Sequence, residues 1–360
     1  MLTLSPDEAR RWMLTATGLG PRQPLDAPTL LAQRRCIQLD PLAPIAPNAD
    51  LVAMARTTLR SGELERGLFP GRAFEHYAKE RCLLPPEAFP AWRRMAERRP
   101  DQRVPRRAKR IEASVLDEVL DEVRQSGPVA VRDLADRGQI EPLDWHGWKG
   151  TAKATTLAVE VLWLRCQLVV VGRNPRVVDL PSRALPEHHD APAPEDPEGW
   201  MLQQRVEAMG LLPSRDGPWW GQLRDDRKGL CERLVEQGLL TWVSLPGTRR
   251  RWLAPAGFTE RAWVPPSDEM RVLGPLDPLI WDRDLVQRAF DFEYLWEVYK
   301  PADQRRWGWY VCPLLHRGRL VGRFEGKRAA DGSIDVLGLW PGDGFERDAF
   351  EQALAGLREE

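Results

Sequence analysis

The chain has no apolar run near the ~18 residues that cross a membrane, and its first twenty residues carry Asp7, Glu8, Arg10 and Arg11 where a secretory leader needs an uncharged centre. These absences lead us to expect a soluble, cytoplasmic protein that binds no membrane. Cysteine is scarce. Cys36, Cys82, Cys166, Cys231 and Cys312 are odd in number, scattered and never spaced C-x-x-C, so neither a disulfide framework nor a zinc site is indicated, and they read as small core residues in a reducing compartment. Lysine is scarcer than its share: seven of the 52 basic residues, against 45 arginines. The formal charge of −1 excludes a long-range pull towards nucleic acid or anionic lipid, so any basic surface must be local. No Walker phosphate loop, dinucleotide glycine fingerprint, G-x-S-x-G elbow or H-E-x-x-H helix occurs, which removes support for a nucleotide-driven motor, a nicotinamide enzyme and a zinc hydrolase. The adjacent His188 and His189 have no cysteine or third histidine beside them, so no metal is expected.

What is present is a chain of 360 residues, 42% apolar and 29% charged, enough for two or three folded domains. The spacing of Ala9, Trp12, Met13 and Ala16 after Ser5 and Pro6 predicts a helix over 7–18, ended by Gly18. A second helix is expected over 28–35, then a short extended run from Cys36 into Pro41. Nine Lys or Arg crowd 92–110, which reads first as a solvated helix and linker. The segment 111–126 has an amphipathic pattern closed by Gly127 and Pro128, after which a short strand, a helix over 157–165 and a hairpin over 167–180 follow. That order is the grammar of a winged helix, and it recurs. Leu162 and Trp163 followed by Leu168 and Val169 match Leu234 and Val235 followed by Leu240 and Thr241, 72 residues later (234 minus 162). Between the two units, a stiff acidic linker carries Pro186, Pro192, Pro194 and Pro197. After Pro266 the pattern changes to short strands and a closing helix.

The sharpest polar feature is Gln38-Leu39-Asp40. Pro41 pushes Asp40 out of the helical region, and in an extended run Gln38 and Asp40 share one side while Ile37 and Leu39 take the other. An amide and a carboxylate side by side can hold one water, which suits hydrolysis. The same spacing also fits an Asp that caps the following helix with Gln38 at the surface.

The segments IQLDPLAPIAPNADLV, PLDPLIWDRDLVQRAFDFEYLWEVYKP and WGWYVCPLLHRGRLVGRFEGK resemble the YcaQ-like (AlkX) and AlkZ-like family of bacterial DNA glycosylases, over nearly the whole chain. The resemblance implies an α+β fold of three tandem winged-helix units with a C-terminal β-barrel-like module. We therefore expect a first winged helix with the motif and basic connector over 1–110, a second over 111–181, the linker over 182–197, a third winged helix over 198–265 and the β-rich module over 266–360. It implies removal of N7-alkylated purines, including interstrand crosslinks, from double-stranded DNA in the bacterial nucleoid, by a monomer without metal or nucleotide cofactor. The family motif, Gln, an aliphatic residue, then Gln or Asp, stands here as Gln38, Leu39 and Asp40, which makes Gln38 and Asp40 the catalytic candidates. Alkylation at N7 leaves a cationic leaving group, so the enzyme mainly has to stabilise an oxocarbenium-like sugar and supply water. Asp40 would take the proton of a water that Gln38 orients. Because no lysine lies near the motif in the sequence, monofunctional hydrolysis without strand cleavage is expected.

For DNA contact, Arg249, Arg250 and Arg251 fall at one hairpin turn, His316 and Arg317 at the tip of another, and Trp148 with Lys149 in an aromatic and basic cluster. Two departures from the family concern the grip on DNA. Pro47, Asn48 and Ala49 stand where relatives carry an Arg and then an aromatic or His, and Lys79 stands where a His is common. The competing reading is a non-enzymatic tandem winged-helix transcriptional regulator, for which Asp40 would have no task.

Overall fold

The computed structural model describes residues 1–101, 103–140 and 152–358. They form two compact units, one made of Met1–Gly67, Tyr77–Cys82 and Leu202–Glu360, the other of Leu68–His76 and Leu83–Met201. The fold is mixed α+β, with helices and mainly antiparallel sheets in alternation.

In the first unit, the helix Pro6–Ala16 starts where the sequence predicts. Ser5 and Glu8 form a reciprocal capping box, and Pro6 takes the position where no amide is needed. Asp26 caps the next helix, Ala27–Arg34, through the Thr29 amide. The apolar face of the first helix packs into a core that includes Trp12, Leu14, Trp252, Phe258, Leu279 and Phe290. The first strand, Leu2–Thr3, lies parallel to Leu240–Ser244, which pairs antiparallel with Arg251–Pro255, and Leu212–Pro213 completes the sheet.

The C-terminal strands Arg271–Val272, Val311–His316, Arg319–Arg328 and Ile334–Pro341 form a four-stranded antiparallel sheet in that order. The expected barrel-like closure is not found among the described residues: the two outer strands each have a single neighbour. Arg271–Val272 is too short to turn back across the sheet, and the helix Arg347–Ala355 covers the face instead, with Phe350 against Phe324 at 5.5 Å between ring centroids.

The second unit holds the helices Phe89–Arg98, Ala113–Ser126 and Ala154–Leu164 and a three-stranded sheet of Val129–Ala130, Arg176–Asp179 and Val169–Arg173. Trp163 is fully buried and donates its indole N–H to the Glu75 carbonyl at 2.6 Å, while Phe74 meets Phe89 and Trp92 edge to face. The proline-rich stretch after Leu180 is tied down: Ala184 and Leu185 are buried, and the Arg93 guanidinium donates to the carbonyls of His189 and Ala191. Arg93 and Arg103, both from the basic run, are thus turned onto partners within this unit.

Candidate active site

Ile37–Gln38 is a two-residue strand, and the Leu39 amide continues the extended course by donating to the Arg81 carbonyl at 2.8 Å. Alternation does what the sequence suggests for the apolar pair: Ile37 and Leu39 are buried. Gln38 is buried too, so it is not the surface amide of the bland reading. Nor does Asp40 cap the following helix. That helix, Asn48–Met54, has Pro47 at its N-cap, whereas Asp40 Oδ1 accepts the Leu42 amide at 2.8 Å in a local Asx-type turn. Asp40 Oδ2 has no hydrogen bond among the described residues and remains available.

Lys79 completes the group. It sits on the turn after the strand Phe74–Tyr77, where the Ala78 amide bonds the Glu80 carbonyl, and its Nζ donates to Gln38 Oε1 at 2.7 Å. The turn is braced by Gly221, at φ +51°, whose missing Cβ would fall 2.0 Å from the Ala78 carbonyl oxygen; any side chain there would displace it. An ammonium only donates, so the carbonyl end of the Gln38 amide must face it. The Gln38 N–H₂ is left to point elsewhere. Lys79 also lies over the Trp281 ring, 5.0 Å from the centroid, in a cation–π contact.

Burial shapes the electrostatics. Desolvation pushes the Asp40 carboxyl above its usual range, while the Leu42 N–H and the Lys79 charge pull it back. Desolvation brings the Lys79 ammonium down to about 8. Tyr310 is fully buried, its hydroxyl has no hydrogen-bond partner among the described residues, and burial followed by nearby acidic groups including Asp40 drives its pKa up. A neutral phenol therefore stands within the field of the Asp40 carboxylate.

Two supports fix the motif strand. Asn48, fully buried, donates its amide to the Gln38 carbonyl at 2.9 Å and accepts the Leu276 amide at 3.3 Å. The departure from the family at this position is therefore part of the scaffold under Gln38. Behind it, Arg56 and Asp277 form a buried two-pronged pair at 2.7 and 2.8 Å, and Arg56 also caps the Thr17 carbonyl. No pattern in the sequence singles out Trp281, Tyr310 or this pair, and Asn48 stands out only as a departure from the family, although Asp277 and Trp281 fall inside the PLDPLIWD block.

The surface candidates divide. Arg249, Arg250 and Arg251 are exposed and, with Arg215 and Ser214, line one pocket on the hairpin that joins Leu240–Ser244 to Arg251–Pro255. Arg250 pairs with Asp284 at 2.5 Å, and Arg251 stacks over Trp242 at 4.5 Å. Arg317 is exposed at a turn with φ +47° and pairs with Asp268 and Glu346. His316 does not join it. The side chain is 2% exposed and bonds the Asp268 carbonyl at 3.0 Å, at the end of a strand whose six residues are all buried. Lys79, expected at a DNA-gripping position, is instead bound to Gln38. Trp148 and Lys149 lie outside the described residues. No group of three or more His, Cys, Asp or Glu suited to a metal ion occurs among the described residues, and none of their helices is long and apolar enough to cross a membrane.

The motif thus carries a partly buried carboxylate and a buried amide that holds a desolvated lysine, and comparison with known proteins gives the class of the chain. The chain belongs to the family described as DNA glycosylase AlkZ-like, whose model matches residues 31–359, a span that includes every residue of the site. It is thus an enzyme of DNA repair acting on N-glycosyl bonds, and the reading as a transcriptional regulator is not favoured. Among solved structures it is similar to the Streptomyces sahachiroi DNA glycosylase AlkZ, with a TM-score of 0.62 over 99% of this chain and 96% of that one, at 18% identity. At that identity the likeness establishes a shared fold.

Proposed function

We propose that the enzyme hydrolyses the N-glycosidic bond of N7-alkylated purines in double-stranded DNA, interstrand crosslinks included, with Asp40 and Gln38 as the catalytic pair. The observation that carries this reading is the division of labour around Gln38: Lys79 occupies its carbonyl, so its N–H₂ is free to hold a water whose proton passes to Asp40 Oδ2. The N7-alkylated base leaves as a neutral group, and the ionised carboxylate stabilises the sugar cation that develops. Burial makes that charge more effective and also raises Asp40's affinity for the proton it must accept.

For the fold, we read the two recurrences of helix, short strand, helix and hairpin, 111–181 and 198–265, as winged helices, with a third unit around the motif in 1–110 and a β-rich module in 266–360. The arginine-lined hairpin is then a wing that meets the phosphate backbone, and Arg317 a second contact. A monomer acting within the nucleoid completes the picture.

The test is Asp40→Asn, which keeps shape and the Leu42 bond but removes the charge. Release of N7-methylguanine from an alkylated duplex should fall at least ~100-fold, with duplex affinity and Tm nearly unchanged. Gln38→Ala should lose less, since a second water can replace the amide. Equal excision by wild type and Asp40→Asn would remove Asp40 from the mechanism.

A further inference from the structure

The expectation of hydrolysis without strand cleavage rests on the distance along the chain from the motif to the nearest lysine. The fold removes that ground by bringing Lys79, 41 residues on, to 2.7 Å from Gln38. An ammonium whose sole task is to hold an amide needs no particular proton affinity. This one is stripped of water by burial, which outweighs the pull of the Trp281 ring towards the cation and favours a neutral amine, a nucleophile towards carbonyl carbon. Excision itself creates a carbonyl at this place. The abasic deoxyribose is in equilibrium with its open-chain aldehyde, and the carbon that carries the aldehyde, C1′, is the one attacked by the water that Gln38 and Asp40 hold. Lys79 Nζ is one amide group away from that water.

We infer that Lys79 is a second nucleophile of the site, which forms an imine with C1′ of the abasic product and thereby opens the DNA strand. This rests on the hydrolytic reading above only for the position of the sugar. The neutral amine adds to the C1′ aldehyde, and the carbinolamine loses one water to give the protonated imine. A base, for which Asp40 is placed, removes a C2′ proton; the electron pair moves into the C1′–C2′ bond and then expels the 3′ phosphate from C3′. Water hydrolyses the imine, returning the amine and leaving an unsaturated aldehyde on one end and a 5′ phosphate on the other. No oxidant or reductant is needed.

The experiment uses the full chain and a duplex with a preformed abasic site, made by excising uracil from a dU-containing strand, so that alkylpurine excision is not required. Sodium borohydride reduces an imine to a stable secondary amine and captures a covalent protein–DNA adduct. The wild-type enzyme should give the adduct, and peptide mapping by mass spectrometry should place it on Lys79. The yield should rise with pH through about 8; the charges around the amine are Asp40, Glu80, Arg283 and the Cys36 and Cys82 thiols. Lys79→Arg keeps a cation and a donor towards Gln38 but cannot add to an aldehyde, and should lose the adduct while still binding the abasic duplex. Asp40→Asn should lose alkylpurine excision and keep the adduct. A wild-type enzyme that gives no adduct, or an adduct mapped to another amine, overturns the inference whatever the variants do. Excision with no adduct refutes strand opening alone, whereas an adduct without excision refutes the hydrolytic reading and leaves Lys79's role standing.

Discussion

Asn48→Ala and Gly274→Ala should damage the same scaffold from opposite sides, and the two substitutions should not add. Asn48 is fully buried, and its side chain satisfies the Gln38 carbonyl and the Leu276 amide. Truncation leaves both backbone groups without partners, at ~1–3 kcal/mol each, or about 2–6 kcal/mol together. Gly274 has no room for a side chain, because an added Cβ would sit 2.5 Å from Asn48 Oδ1. Gly274→Ala must therefore push Asn48 Oδ1 away from the Leu276 amide and disturb the side chain that holds Gln38, an overpacking cost of about 1–3 kcal/mol. In the double variant, the atom that the new methyl meets is already gone. The double should cost no more than Asn48→Ala alone, giving an interaction energy of about 1–3 kcal/mol. Urea denaturation of the four proteins measures the cycle. Excision should fall in both single variants under conditions where they remain folded, because the Gln38 backbone is no longer held. Additivity to within ~0.5 kcal/mol would show that Asn48 is not the atom Gly274 makes room for, and that the strand under Gln38 is fixed by something else.

Three further outcomes are expected. Replacing Arg249, Arg250 and Arg251 together with Ala should weaken duplex binding and flatten its dependence on salt by about 2–3 in the log–log slope, at ~0.9 for each phosphate no longer neutralised; an unchanged slope in a fluorescence-anisotropy titration would take this hairpin away from the DNA. Excision followed against pH should fall on the acid side as Asp40 gains its proton, with a midpoint above that of an ordinary aspartate because burial raises it, and should decline modestly above about 8 as Lys79 loses the charge that polarises Gln38. An acid limb centred at or below the value of a free aspartate contradicts that assignment. Chelators should leave the excision rate as it is, and a loss restored by added zinc would overturn the metal-free reading.

The local features were legible because their causes are local. Ser5 with Glu8, Pro6 and the 3.6-residue spacing of Trp12 and Met13 fix the first helix within one turn of sequence, and Pro41 signals the extended run that carries Gln38. The hairpins at 167–180 and around Arg249 followed from alternation and turn residues. Fold class was legible for the same reason, but the closure of the last sheet was not: whether two edge strands meet depends on the length of Arg271–Val272 and on a helix that competes for the face. Asn48 and Lys79 stood out in the sequence only as departures from the family, and the places that they, Trp281 and Tyr310 take around Gln38 and Asp40 became visible only in three dimensions. The contacts they make run across 41 residues in one case and 228 in another, and no periodicity encodes such pairings. His316 shows the converse error: a turn position read as exposed, when the strand is covered on both faces and the ring is held by the carbonyl of Asp268, 48 residues away in the chain.

The parallel pairing of Leu2 and Thr3 with Val243 and Ser244 has a consequence for the order of synthesis. The first unit is interrupted by the second, 68–76 and 83–201, and some of its early residues find partners only after position 202. At ~5–20 residues per second, the Leu2–Thr3 strand waits on the order of 10–50 s for its partner, and Asn48 waits for Leu276 on the same scale. The residues between have time to fold as a separate nucleus while the N-terminal helices remain unmatched, with Trp12 and Leu14 not yet covered. A ribosome stalled or a chain cut short before Leu276 would thus yield a polypeptide with every letter of the Gln38-Leu39-Asp40 motif and no scaffold to hold it, and with an apolar face for chaperones or other unfinished chains to find.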